Sequence, residues 1–113
     1  MITKKKMVIP IFDYQLTVII YDDWNTVKHL FDNDEAPPWA ITNISYKGGA
    51  TVGIDSKARS KSIVHEAEHI KDAIWEFIGY TPQVNNDEVD AYLVAYIYDK
   101  IMQVYEKHDS SNK

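Results

Sequence analysis

The sequence predicts an α+β domain: a small N-terminal sheet with one short helix, followed by two packed helices. Three observations predict it. Met7 to Tyr21 is rich in Val, Ile, Phe and Tyr, the composition of strands. Gly48-Gly49 sits between two further β-type segments, as a hairpin turn does. From Ala58 onwards the apolar residues repeat at helical spacing. Strands early and helices late make one layer of each.

Met7–Tyr21 has room for one or two strands. Asp22 or Asp23 then caps a short helix in which Trp24, Val27, Leu30 and Phe31 share a face. The acidic stretch Asp32 to Pro38 ends in two prolines and reads as a loop. Trp39 to Lys47 reads as a strand and Ala50 to Asp55 as its return. The first long helix spans about Ala58 to Ile78, with Ile63, Ala67, Ile70, Ile74 and Phe77 as its stripe. Gly79 ends it as a left-handed cap, and Pro82 prevents resumption. The second spans about Asn86 to Lys107, with Val89, Leu93, Tyr96, Ile97, Ile101 and Val104 towards the core. Trp24, Trp39 and Trp75 are expected to anchor that core.

With 113 residues the chain makes one domain, 1–113, because two would leave neither half enough apolar area to bury. Residues 1–6, with their Lys4-Lys5-Lys6 cluster, and 108–113 are expected to be flexible ends. A net charge of −5 opposes binding to nucleic acid or anionic membrane. No apolar run approaches the ~18 residues of a membrane span, and no signal-peptide pattern is present. Without cysteine the chain needs no oxidising compartment, so a cytoplasmic setting is expected. Any metal must be held by His, Asp or Glu.

His65-Glu66-Ala67-Glu68-His69 falls inside the first long helix. Residues four apart lie one above the other, so both imidazoles can reach a single ion. Glu66 is offset by about 100°, which places a carboxylate beside the ion to take a proton from water. With four His and six Glu in the chain, chance gives the pattern on the order of once in a hundred sequences. Two imidazoles and a carboxylate suit Zn2+ best among divalent ions. Glu88, nineteen residues after His69, is the expected third ligand. Ala91 and Ala95 on its helix face allow close approach of the two helices. Asp87, Asp90 or no third residue at all are the alternatives, and Glu88 also fits the third position of a capping box with Asn85.

Ser62 to His69 resembles the active-site helix of zincin metallopeptidases, and Glu88 to Ala95 resembles the glutamate-bearing helix of the gluzincin branch. Glu88 and Ala91 are similar to the Glu-x-x-Ala of ImmA/IrrE-type phage and prophage peptidases. Size and the Ala-Tyr-Leu run resemble the small phage-encoded minigluzincins. The strong part of the resemblance covers Ser62 to Tyr98. It implies a zinc peptidase with His65, His69 and Glu88 as ligands, Glu66 as general base, and a phage or prophage source in a host cytoplasm. One turn after Glu88, where gluzincins often carry an Asp, this chain has Tyr92. Its hydroxyl is a candidate to polarise a substrate carbonyl.

Asp72 is a candidate to orient an imidazole; Tyr80 and His29 have suitable chemistry without a positional argument. In zincins a sheet edge binds the peptide as an added strand, and Thr51-Val52-Gly53-Ile54 is the candidate edge, Gly53 admitting a substrate backbone. Tyr92, Tyr96, Tyr98 and Tyr105 populate several faces of one helix, which raises a homodimer as an expectation. The expected partner is a peptide or protein substrate. The rival reading is a non-catalytic zincin-fold protein that binds a host or phage protein. A closed structural zinc site is weaker, since Glu66 has no purpose beside one.

Overall fold

The computed structural model describes residues 1–45, 47–82 and 88–111. Among these, β1 (Ile2–Ile9) and β2 (Tyr14–Tyr21) form a hairpin. A 3-10 turn at Trp24–Thr26 leads into the single turn α1 (Lys28–Phe31). β3 (Ala40–Ser45) and β4 (Gly49–Asp55) make a second hairpin, before α2 (Ser60–Ile78) and α3 (Glu88–Ser111). The α+β layout predicted from the sequence is the one observed.

The sheet order is β1-β2-β4-β3, with β2 and β4 parallel and the other pairs antiparallel. β4 is therefore central and β3 is an edge, so the expected edge at Thr51–Ile54 is corrected to Ala40–Ser45. Gly53 meets no open groove either. A Cβ there would lie 2.6 Å from the Phe31 ring. The glycine admits a side chain of this protein rather than a substrate backbone.

Alternation along β2 builds two apolar layers. Leu16, Val18 and Ile20 join Val52, Ile54, Ile63, Ile70, Ile74, Ile97 and Ile101 beneath the two long helices. Ile19 and Tyr21 point the other way and are covered by Trp24, Val27 and Phe31. At the end of α2, Gly79 adopts φ 75° and donates to Glu76 O, while Tyr80 N–H returns to Trp75 O at 2.9 Å. The glycine accepts this left-handed turn without a steric cost.

Of the expected loose ends, residues 2–6 belong to β1 and residues 108–111 to α3. Lys4, Lys5 and Lys6 lie on the outer strand β1, where lysines discourage pairing with another sheet. α3 runs to Ser111, and His108 is buried at 1 % exposure. Its Nδ1 lies 2.7 Å from Thr3 Oγ1 and its Nε2 lies 3.0 Å from Asp22 Oδ1. That clamp ties the end of α3 to β1 and to the end of β2. Trp24 and Trp75 anchor the apolar layers as expected, but Trp39 is 48 % exposed. No described helix is long and apolar enough to cross a membrane.

Candidate metal centre

α2 presents three flanks, and the site follows from which residues fall on each. Ile63, Ala67, Ile70 and Ile74 face the sheet and are buried. Lys71 and Trp75 face α3. His65, His69, Asp72 and Glu76 follow at spacings of four, three and four, which puts them on one stripe, over a cleft.

That cleft has a volume of about 830 Å³ and lies between α2 and the edge strand β3. His65, Glu66 and His69 line it with Thr42 and Ile44 from β3. The two imidazoles meet edge to face, their planes at 88°. Their Nε2 atoms are 3.1 Å apart. An ion held at about 2.05 Å by two nitrogens in tetrahedral geometry separates them by about 3.3 Å, so the pair fits a shared ion. Without an ion, the same spacing is an N–H···N hydrogen bond between a protonated and a bare nitrogen.

Glu66 is 6 % exposed, tucked between helix and sheet. Its Oε1 accepts a hydrogen bond from Thr42 Oγ1 at 2.8 Å. The alternation of β3 makes this contact: Thr42 pairs with buried Val52 and so turns its hydroxyl to the helix side. No pattern in the sequence points to Thr42, since the motif lies on one helix and the partner on a strand 24 positions away.

The carboxylates expected from α3 lie differently. Glu88 is the first residue of α3 and is exposed. Among the described residues no group of three His, Cys, Asp or Glu that could hold a metal ion is assembled. The structure brings His65 and His69 together and leaves Glu88 outside their shell. The physical reason lies one half-turn further on. Asp90 Oδ2 accepts from Lys71 Nζ at 2.8 Å, and its Oδ1 accepts from Trp75 Nε1 at 2.6 Å. This clasp docks the first turn of α3 on the flank of α2 that carries Lys71, roughly 200° around from His69. Asp90 is thereby removed as a ligand, and Asp87 lies outside the described residues.

Lys71 is buried yet charged. Burial alone would lower its pKa, but the carboxylates of Asp90, Glu68 and Asp72 hold it well above the usual lysine value. Asp90 is opposed by burial as well; the Lys71 and Trp75 bonds carry its carboxyl below the usual range. Asp72, expected to orient an imidazole, instead pairs with Lys71 at 2.9 Å.

The remaining candidates stand apart. Tyr92 is 75 % exposed on α3, next to the core residue Leu93, and is not among the residues that line the cleft. His29 is exposed on α1, and Tyr80 packs its ring 4.7 Å from Trp75. Tyr14, which the sequence did not single out, does line the cleft, and its hydroxyl is buried without a partner among the described residues. No family model matches the chain, and no curated protein or solved structure is significantly similar to it.

Proposed function

We propose that the protein is a small zinc-dependent metallopeptidase of gluzincin type. The reading is carried by the convergence of His65 and His69, whose Nε2 atoms lie 3.1 Å apart on an open cleft with Glu66 beside them. In this proposal His65 and His69 hold the ion, and the third donor, expected at Glu88, is not assembled beside them among the described residues. Zinc, when bound, supplies Lewis-acid chemistry and brings the pKa of water towards ~7. Glu66 takes the proton of the attacking water and returns it to the leaving amine. Thr42 holds Glu66 Oε1, which leaves Oε2 for that proton. The same proposal includes a phage or prophage source and a cytoplasmic setting.

A second reading, a non-catalytic zincin-like protein that binds a host or phage protein, is favoured by one observation. Glu88 is not assembled with the two histidines among the described residues. Wild type and Glu66→Gln separate the two readings when zinc content and peptide cleavage are measured on both. A peptidase retains zinc and loses cleavage in the variant. No cleavage by zinc-loaded wild type, together with unchanged biological activity of the variant, supports the binding protein instead.

A further inference from the structure

The cleft is chemically uneven along its length. Beside His65 and Glu66 it opens into a hollow of about 440 Å³, lined by Pro38, Trp39 and Lys61 among others. At the opposite end the lining includes Asp72, Glu76, Phe77, Tyr14 and Ile44. No lysine or arginine is among the residues that line this larger cleft. Two carboxylates therefore face an apolar wall there, and only Asp72 has a cationic partner, Lys71. Glu76 has none among the described residues.

A second observation points to a ligand at the same end. Tyr14 is 1 % exposed, yet its hydroxyl makes no hydrogen bond among the described residues. A buried hydroxyl without a partner costs about 1–3 kcal/mol, a cost that an incoming donor relieves. The Tyr14 ring meets Phe77 edge to face with centroids 5.7 Å apart, so the two rings form one apolar wall with the hydroxyl buried behind it.

We propose that this end of the cleft is a subsite for a lysine or arginine side chain of a bound peptide. The methylene stem lies along Phe77, Ile44 and the Tyr14 ring, the cation meets Glu76 and Asp72, and the Tyr14 hydroxyl accepts one of its N–H groups. Glu76 lies seven residues past His69, or about 10 Å along the helix. An extended peptide advances about 3.3 Å per residue, so the basic residue sits within about three residues of the bond cut. The placement relative to a cut bond rests on the peptidase reading; the subsite itself needs only the cleft.

The test is equilibrium binding by fluorescence anisotropy at low salt, run beside a cleavage assay on the same zinc-loaded protein. The probes are labelled decapeptides that differ at one scanned position, carrying lysine, norleucine or glutamate. The lysyl peptide is expected to bind about fivefold tighter than the norleucyl one, the scale of an exposed ion pair, and the preference fades with salt. Glu76→Gln removes most of the preference, and Glu76→Lys turns it towards the glutamyl peptide. Both changes lie on an exposed helix face, and circular dichroism checks that they leave the fold intact. Charge-selective binding without cleavage keeps the subsite and overturns the hydrolase reading. Cleavage without a charge preference overturns the subsite alone. Equal binding of the three peptides, or binding of none, also overturns it.

Discussion

Thr42 Oγ1 donates to Glu66 Oε1 at 2.8 Å, so a strand residue fixes the orientation of the carboxylate that follows His65 on the helix. If Glu66 moves the proton, removing this bond weakens a step that occurs only at the transition state. Thr42→Val, similar in shape, is expected to lower kcat about tenfold, the loss of about 1.4 kcal/mol of positioning. Zinc content and KM stay unchanged, and Thr42→Ser restores the rate. Steady-state kinetics with metal analysis checks all three; a Thr42→Val enzyme that loses zinc contradicts the assignment.

The imidazole pair makes a sharper demand. Structural zinc binding is worth about 10–16 kcal/mol in small domains, so losing one of two imidazoles removes several kcal/mol. His65→Ala and His69→Ala are each expected to weaken zinc binding at least about a hundredfold. Both residues are exposed, so the apo fold is expected to remain, by circular dichroism. Chelator competition reads the affinity.

The clasp between Asp90, Lys71 and Trp75 gives an acid-side prediction. The Asp90 carboxyl titrates below the usual range because, against burial, Lys71 and Trp75 hold its charged form. A depressed pKa contributes stability that is full above the unfolded value near ~3.9 and is lost as pH falls further. Lys71, with its pKa raised, keeps its contribution below about 10.4 and loses it only as pH rises beyond that. Asp90→Asn is therefore expected to cost about 2 kcal/mol at pH 7. The gap from wild type closes as pH drops below about 4. Urea melts at pH 7 and pH 3 measure both ends.

Much of this fold was legible because local pattern and tertiary need agree. The stripe Ile63, Ala67, Ile70, Ile74, Phe77 and the cap at Gly79 point to the same helix, and the structure buries all of that stripe but Phe77, which is half exposed. Strand order was not legible. Gly53 and its neighbours read equally well as an edge or a centre, because what covers Gly53 is Phe31, over twenty residues earlier. Likewise Lys4–Lys6 and His108 read as loose ends, since the strand partners Ile19, Val18 and Thr17 of the lysines and the Asp22 partner of His108 are set by topology. At the site, helical geometry alone predicts that His65 and His69 converge. The Glu88 expectation concerned the packing of two helices, and there the Asp90 clasp decides. From the sequence Asp90 is as good a ligand as its neighbours, because nothing local marks Lys71 as the buried cation that takes its carboxylate.

His108 supplies a prediction about those ends. Its imidazole is buried and spans Thr3 and Asp22, and the hydrogen bond from it is the chief reason the Asp22 carboxyl titrates well below the usual range. His108→Ala removes the buried ring and its hydrogen bonds to Thr3 and Asp22, and is expected to cost about 1–3 kcal/mol. The loss concentrates in β1, so amide exchange there speeds up more than in β4. Uniform acceleration across both strands contradicts a local clamp.

Zinc-edge X-ray absorption on the protein loaded with one equivalent of zinc tests the shared ion most directly. The expected spectrum contains two histidine nitrogens at about 2.0–2.1 Å with oxygen completing the shell, and it is lost in His65→Ala. A protein that takes up no zinc, or a spectrum with one histidine or none, contradicts a metal held between His65 and His69.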